Sequence, residues 1–361
     1  MNPATAFLRV LLTSVTLTVL AAPVAAHNSG KREGYSSQVL VSNGSQPAPF
    51  TDPNLVNAWG IAFNPTGVVW VNNQGTGKST LYDGNGVPQS LVVTVPGPAP
   101  GVPSNPSGIV FSGGADFVVT DGVRNGPARF IFATLEGSIS GWAPNVNALN
   151  AQLAVPTTGA AVYTGLALGG NGTTHLLYAA NFRTGRVDVF DGTFKPVEVP
   201  GGFRDRSLPS SYAPFGIQAI NGDVYVTYAK PDPATGQSAH GPGLGFVNVF
   251  DPEGRLLRRV ASRGVLNAPW GLALAPASFG KFGGALLVGN LGDGTINAYG
   301  PRSGRFLGTL RDTRGRRLQM DGLWGLAFGN GVLSQESNTL FFTSGPNHGA
   351  DGAYGAITVA E

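Results

Sequence analysis

From residue 38 onward, short apolar runs alternate with turns rich in Gly, Pro, Asn and Asp, a rhythm that predicts strands rather than helices. One phrase recurs: Trp59-Gly60-Ile61-Ala62-Phe63, Ser107-Gly108-Ile109-Val110-Phe111, Thr164-Gly165-Leu166-Ala167-Leu168, Phe215-Gly216-Ile217, Trp270-Gly271-Leu272-Ala273-Leu274 and Trp324-Gly325-Leu326-Ala327-Phe328. Its glycines are 48, 57, 51, 55 and 54 residues apart. A second apolar run follows each copy, at 68–72, 117–120, 176–180, 224–228, 286–289 and 340–343. A third follows at 79–82, 137–142, 185–190, 245–250, 294–299 and 355–359, several closed by turn signals such as Asp83-Gly84 and Asp191-Gly192. Five copies carry a weaker fourth run, at 91–95, 152–155, 196–199, 256–260 and 306–310. The sixth lacks one, and Gln38-Val39-Leu40-Val41 is the segment expected to supply it and close a ring. Units of about 50 residues with four strands each predict an all-β, six-bladed β-propeller, a single domain over 27–361. A β-sandwich or a two-domain β protein is the alternative with similar strand spacing.

Composition agrees. Gly and Pro make up 81 of 361 residues and charged residues only 12%, which excludes coiled coils and long surface helices, while 42% hydrophobic residues suffice for a core. A net charge of +3 gives no field strong enough to hold a polyanion, so nucleic acid is not an expected partner. The absence of Cys removes disulfides, thiol nucleophiles and Cys-ligated zinc. Arg9, the apolar stretch 10–20 and Ala21-Ala22-Pro23-Val24-Ala25-Ala26 read as a signal peptide over 1–26, cut before His27. The mature chain is then expected to be exported to the periplasm or beyond, monomeric, and without an integral membrane segment.

The aromatic-Gly-Ile/Leu strand, followed by a strand ending in Asn and one ending in Asp-Gly, resembles NHL-type six-bladed propellers. More narrowly, Asn54-Leu55-Val56-Asn57-Ala58-Trp59-Gly60-Ile61, Tyr212-Ala213-Pro214-Phe215-Gly216-Ile217, Asn267-Ala268-Pro269-Trp270-Gly271 and Leu323-Trp324-Gly325-Leu326-Ala327-Phe328 resemble a bacterial family of exported propellers, some with PEP-CTERM tails. The resemblance implies a fold and an export route. It implies no single activity, because NHL-like and gluconolactonase-like propellers include lactonases, lyases and binding proteins.

In such propellers the loops leading into the innermost strand and those joining the second and third strands share the channel face. That rule selects Asn57, Trp59, Asn105, Tyr163, Phe215, Asn267, Trp270, Asp321 and Trp324 from the first set. From the second it selects Asn72, Asn73, Lys78, Asp121, Arg124, Asn181, Arg183, Lys230, Asp232, His240, Asn290, Asp293, Asn347, His348 and Asp351. Asn72, Asn181 and Asn290 end second strands, where an amide oxygen can meet calcium or a sugar hydroxyl, or simply cap a turn. Trp59, Trp270 and Trp324 fall in neighbouring blades, where indoles can stack on a flat ligand or pack between blades. His240 and His348 lie in Gly-rich loops and suit acid, base or metal-ligand roles, the plainer reading being exposed loop histidines. His175 opens a strand on the opposite face.

Resemblance to gluconolactonase-like propellers implies a Glu, Asn and Asp set around a divalent metal. Asn181, Asn290 and Asp293 have counterpart positions, but Glu136, Glu198, Glu253 and Glu336 are expected in hairpins or outer segments. Gly75-Thr76-Gly77-Lys78-Ser79-Thr80 is a P-loop mimic that lacks the first Gly and the following helix. The basic residues Arg302, Arg305, Arg311, Arg314, Arg316 and Arg317 read as a solvated strand face, or as a surface for acidic glycan or membrane. The expected function is binding or scaffolding on the channel face, for a small molecule, glycan or protein. The alternative is a metal-dependent hydrolase of lactonase type, or a lyase.

Overall fold

The repeated aromatic-Gly phrase forms the innermost strand of each of six blades, in a computed structural model that describes Met1 and residues 33–360 apart from Pro100 and Thr173. Apart from Met1, the signal peptide expected at 1–26 and its cut before His27 lie outside the described residues. Blade 1 runs Ala58–Phe63, Val69–Asn73, Lys78–Tyr82 and Pro88–Thr94. Blade 4 runs Ala213–Ile220, Asp223–Ala229, Phe246–Phe250 and Leu256–Ser262, and blade 5 runs Pro269–Leu274, Leu286–Asn290, Ile296–Tyr299 and Phe306–Thr309. In blade 6, Leu323–Phe328, Leu340–Ser344 and Ala353–Ala360 are completed by the N-terminal strand Gly34–Ser42, which pairs antiparallel to Ala353–Ala360 and closes the ring as expected. A short parallel strand, Phe50–Thr51, lies outside it.

Two blades depart from the expectation. In blade 2 the second strand is Phe130–Thr134, between Pro106–Phe111 and Ile139–Trp142, with Gln152–Val155 outermost. The apolar run at 117–120 instead enters a separate hairpin, in which Val118–Thr120 pairs with Asn125–Pro127. Burial decides between the two runs: Phe130–Thr134 is buried at every position, whereas Val118 is 51% exposed. Asp121 and Arg124 therefore sit at the tip of an inserted hairpin in the first-to-second connection, paired at 2.8 Å, and not on the channel face. In blade 3, Tyr163–Gly170, His175–Asn181 and Arg186–Asp191 form a three-stranded sheet. The run at 196–199 makes only a bridge from Pro196 to Phe190 and a bond from the Val197 N–H to the Val189 carbonyl, because Pro196 has no N–H to extend a ladder and Pro200 follows.

The core lies between blades rather than within them. Each of the six seams holds its own apolar cluster, such as Tyr178, Phe203, Tyr228 and Phe250 between blades 3 and 4. The conserved spacing of glycine within the phrase has a steric cause: a Cβ on Gly216 would lie 2.1 Å from the Trp270 carbonyl oxygen, one on Gly271 2.5 Å from that of Trp324, and one on Gly325 2.7 Å from that of Trp59. Each innermost strand thus runs against the backbone of the next. Hydroxyls stitch the same contact, Ser107 donating to the Tyr163 carbonyl at 2.6 Å and Thr164 to that of Phe215 at 2.8 Å. The aliphatic residue after each glycine (Ile61, Ile109, Leu166, Ile217, Leu272 and Leu326) packs into a seam and borders an axial cavity of about 20 Å³.

Candidate functional site

Above that cavity the axis is closed. Trp59 and Trp324 stack with centroids 3.7 Å apart, Trp270 meets both edge-on at 6.3 and 5.8 Å, and Phe215 and Phe182 extend the plug. Trp59 and Trp324 are each 6% exposed and Trp270 is half-buried. The three indoles expected to be neighbours do converge, but they spend their faces on one another. The chain reaches the plug through a tight turn two residues before each Trp, left-handed at Asn57 (φ 47°), Ala268 (φ 46°) and Gly322 (φ 63°). The Trp270 N–H donates across the axis to the Thr164 carbonyl at 2.8 Å, and the Trp59 N–H is buried without a partner.

The Trp324 N–H donates to Asn57 Oδ1 at 3.1 Å and starts a chain of side-chain hydrogen bonds around the rim. Asn57 Nδ2 donates to Gln74 Oε1 at 2.7 Å, Gln74 Nε2 to Asn105 Oδ1, and Asn105 Nδ2 to Glu136 Oε1. The donors all run one way and end on a carboxylate, an arrangement in which each bond polarises the next. Glu136 is therefore a channel-face residue, contrary to the expectation that placed it elsewhere. With Phe130–Thr134 as the second strand, Glu136-Gly137 becomes the second-to-third turn of blade 2. The apolar run Phe130-Ile131-Phe132-Ala133 was the signal that could have found it.

The asparagines divide by register. Asn73, not Asn72, is the counterpart of Asn181 and Asn290, for each of these accepts the turn-closing N–H of Gly77, Gly185 or Gly294. A one-residue shift turns a strand side chain to the other face. Asn72 accordingly points into the seam and donates to the Gly108 carbonyl of blade 2 at 3.0 Å. Asn181 is saturated by Val162 and Thr184 N–H groups and by Asp188, and Asn290 by Val265, Asp293 and the Asn267 N–H. Asp293 accepts from the Thr295 N–H and hydroxyl, and the exposed Arg183 donates to the Gly159 carbonyl at 2.6 Å.

His240, Asp293 and His348 come from three loops, in blades 4, 5 and 6, and share one sector of the face. Desolvation lowers the His240 pKa below the usual imidazole value, the nearby His348 lowers it further, and Asp293 opposes both. Among the described residues neither histidine is hydrogen-bonded to a carboxylate; His240 Nε2 is 3.4 Å from Ser238 Oγ. The Gly241 N–H anchors the His240 loop on Asn267 Oδ1 at 2.7 Å, and the Asn347 N–H anchors the His348 loop on Asp321 at 2.9 Å. Asn347 (φ 53°) and His348 (φ 56°) are consecutive left-handed residues, a strain of about 1–3 kcal/mol each that places both side chains in solvent. Among the described residues no three His, Asp or Glu side chains gather closely enough to hold a metal ion.

No family model matches the chain. Uncharacterized protein R648 of Acanthamoeba polyphaga mimivirus is 35% identical over 329 residues, covering 88% of this chain and 78% of R648. Uncharacterized protein L690 of the same virus is 32% identical over 327 residues, covering 88% of this chain and 84% of L690. A solved structure of a protein of unknown function from Bacteroides thetaiotaomicron is similar with a TM-score of 0.56 at 12% identity, over 91% of this chain and 76% of that one, a likeness of fold alone. The extent of the viral matches, along nearly the whole propeller, decides the family: this chain belongs with R648 and L690.

Proposed function

We propose that this protein is an exported binding propeller that holds a small polar ligand, such as a sugar, on the upper face over blades 4, 5, 6 and 1. The observation that carries this reading is the make-up of that face. A closed aromatic plug forms its floor, and above it the exposed side chains of Asn347 and His348 have no hydrogen-bond partner among the described residues. His240 stands beside them, its neutral form favoured by burial and by the neighbouring His348, with a ring nitrogen able to accept or donate a hydrogen bond. Fixed loops with unspent donors and acceptors suit recognition. The N-terminal charge, apolar stretch and small-residue end support export, as does the resemblance to exported bacterial propellers.

The test is a thermal-shift screen of the chain from His27 against mono- and oligosaccharides, lactones and divalent metals, with EDTA. Binding to the folded state raises the melting temperature by mass action. A sugar-dependent shift that Asn347→Gly, which suits the left-handed φ of 53°, and His240→Ala abolish, with melting of the free protein no lower than that of the parent, is the expected result. A second reading, a metal-dependent hydrolase or lyase, draws on the grouping of His240, His348 and Asp293. A metal shift reversed by EDTA, with lactone turnover lost in His240→Asn, would replace the first reading by the second.

A further inference from the structure

Among the described residues, blade 3 alone lacks a laddered fourth strand. The far half of its edge strand Arg186–Asp191 is covered, the Asp191 N–H donating to the Lys195 carbonyl at 2.9 Å and the Val189 carbonyl accepting the Val197 N–H at 2.8 Å, after which the covering segment departs. The alternation of an antiparallel ladder turns the N–H and C=O of Val187 to the same outer side as Val189, and among the described residues neither is bonded there. Between this edge and the departing segment 196–206 lies a groove of about 830 Å³. Arg186, Arg204 and Arg206 line it, all exposed and, among the described residues, none in an ion pair or side-chain hydrogen bond. Of the two carboxylates in the groove, Asp188 is spent on Tyr163 and Asn181, which leaves Glu198 as the free acid against three free guanidinium groups.

We propose that this groove on the outer rim of blade 3, remote from the upper-face ligand site in sequence and role, binds an acidic peptide in extended conformation. The peptide adds beside Arg186–Asp188, the part of the edge that Lys195–Val197 leaves uncovered, and extends along the groove as the strand the blade lacks. Backbone bonds to Val187 set its register, and its carboxylates meet Arg186, Arg204 and Arg206. An open sheet edge offers unpaired backbone groups to an incoming strand, and charge decides which strand is accepted.

Fluorescence anisotropy with a labelled nonapeptide of alternating Glu and Val tests the proposal on the mature chain. Binding is expected at about 50 mM NaCl and should weaken at least about tenfold at about 500 mM. The surface double variant Arg204→Gln/Arg206→Gln, checked for an unchanged circular dichroism spectrum, should weaken it by a similar factor. A peptide methylated at alternate backbone nitrogens, with charge and length preserved, should lose binding. Equal binding of the methylated peptide would overturn strand addition and leave a plain electrostatic surface, as would a sulfated oligosaccharide that outcompetes the peptide. No binding at about 100 µM peptide would reject it outright. Self-association of the protein that the double variant abolishes would assign the groove to a second copy instead.

Discussion

Gly216 has no room for a methyl group. A Cβ there meets the Trp270 carbonyl oxygen at 2.1 Å and its carbon at 2.8 Å, both backbone atoms of the next innermost strand, so no side chain can swing away. Gly331 poses the opposite problem, because its φ of +82° is left-handed but nothing lies within 4 Å of an added Cβ. Gly216→Ala should therefore cost about 3 kcal/mol by overpacking, and Gly331→Ala about 1 kcal/mol by backbone conformation alone. Midpoints of urea unfolding at unchanged slope measure both. Similar losses for the two would mean that the inner strands can slide apart, and that glycine is not what sets their spacing.

The ring is closed by one strand, and the closure can be tested through a single hydroxyl. Gly34–Ser42 pairs with Ala353–Ala360 in blade 6, and Tyr35 reaches from it into blade 5. There its Oη donates to the Phe279 carbonyl at 3.1 Å and accepts the Phe282 N–H at 3.0 Å, with the Phe279 ring 4.8 Å away. Tyr35→Phe keeps the ring contact and removes both hydroxyl bonds, which should cost about 1–3 kcal/mol, read as a lower melting temperature. An unchanged melting temperature would show that pairing with Ala353–Ala360 alone secures the closure. This strand, the number of blades and the inner glycines were legible in the sequence, because each rests on a local pattern that recurs six times. The inserted hairpin of blade 2 was not, since two apolar runs competed for one place and only burial on both faces, against blades 1 and 3, separates Phe130–Thr134 from 117–120, which buries one face alone. That same misplacement hid Glu136, and with it the far end of the hydrogen-bond chain from Trp324. Asn72 was misassigned for a smaller reason, a single step of strand register. The grouping of His240, Asp293 and His348 lies on three loops 53 and 55 residues apart, and no local pattern reports such a distance.

At the scale of the whole molecule, no disulfide holds the ring, and carboxylates that organise turns and connections carry its response to acid. Asp205, in the segment from blade 3 to blade 4, is the most built of them. Burial works against its ionisation, but hydrogen bonds from Ser207, Arg259 and Asn248 outweigh it and hold its pKa at about 2. At Asp191 and Asp312 burial is likewise outweighed, by Thr193 and Lys195 in one turn and by Arg316 and Arg314 in the other, and both pKa values are lowered. In the unfolded chain these groups return to 3.8, so between that value and the folded one the unfolded state binds more protons and stability falls as pH falls. His240 acts in the same direction from the ordinary imidazole value of 6.5 downward, through one exposed ring, and so adds only a shallow slope. The melting temperature should accordingly change little from pH 7 to about 5 and drop steeply between about 4 and 2. Asp205→Asn should lower the melting temperature at pH 7 and flatten the acid limb, because the amide cannot titrate and loses the ionic bond to Arg259. Circular dichroism melts of both proteins across that range measure it. A variant whose acid limb stays as steep as that of the parent would move the acid sensitivity away from the joint between blades 3 and 4 and onto the turns at Asp191 and Asp312.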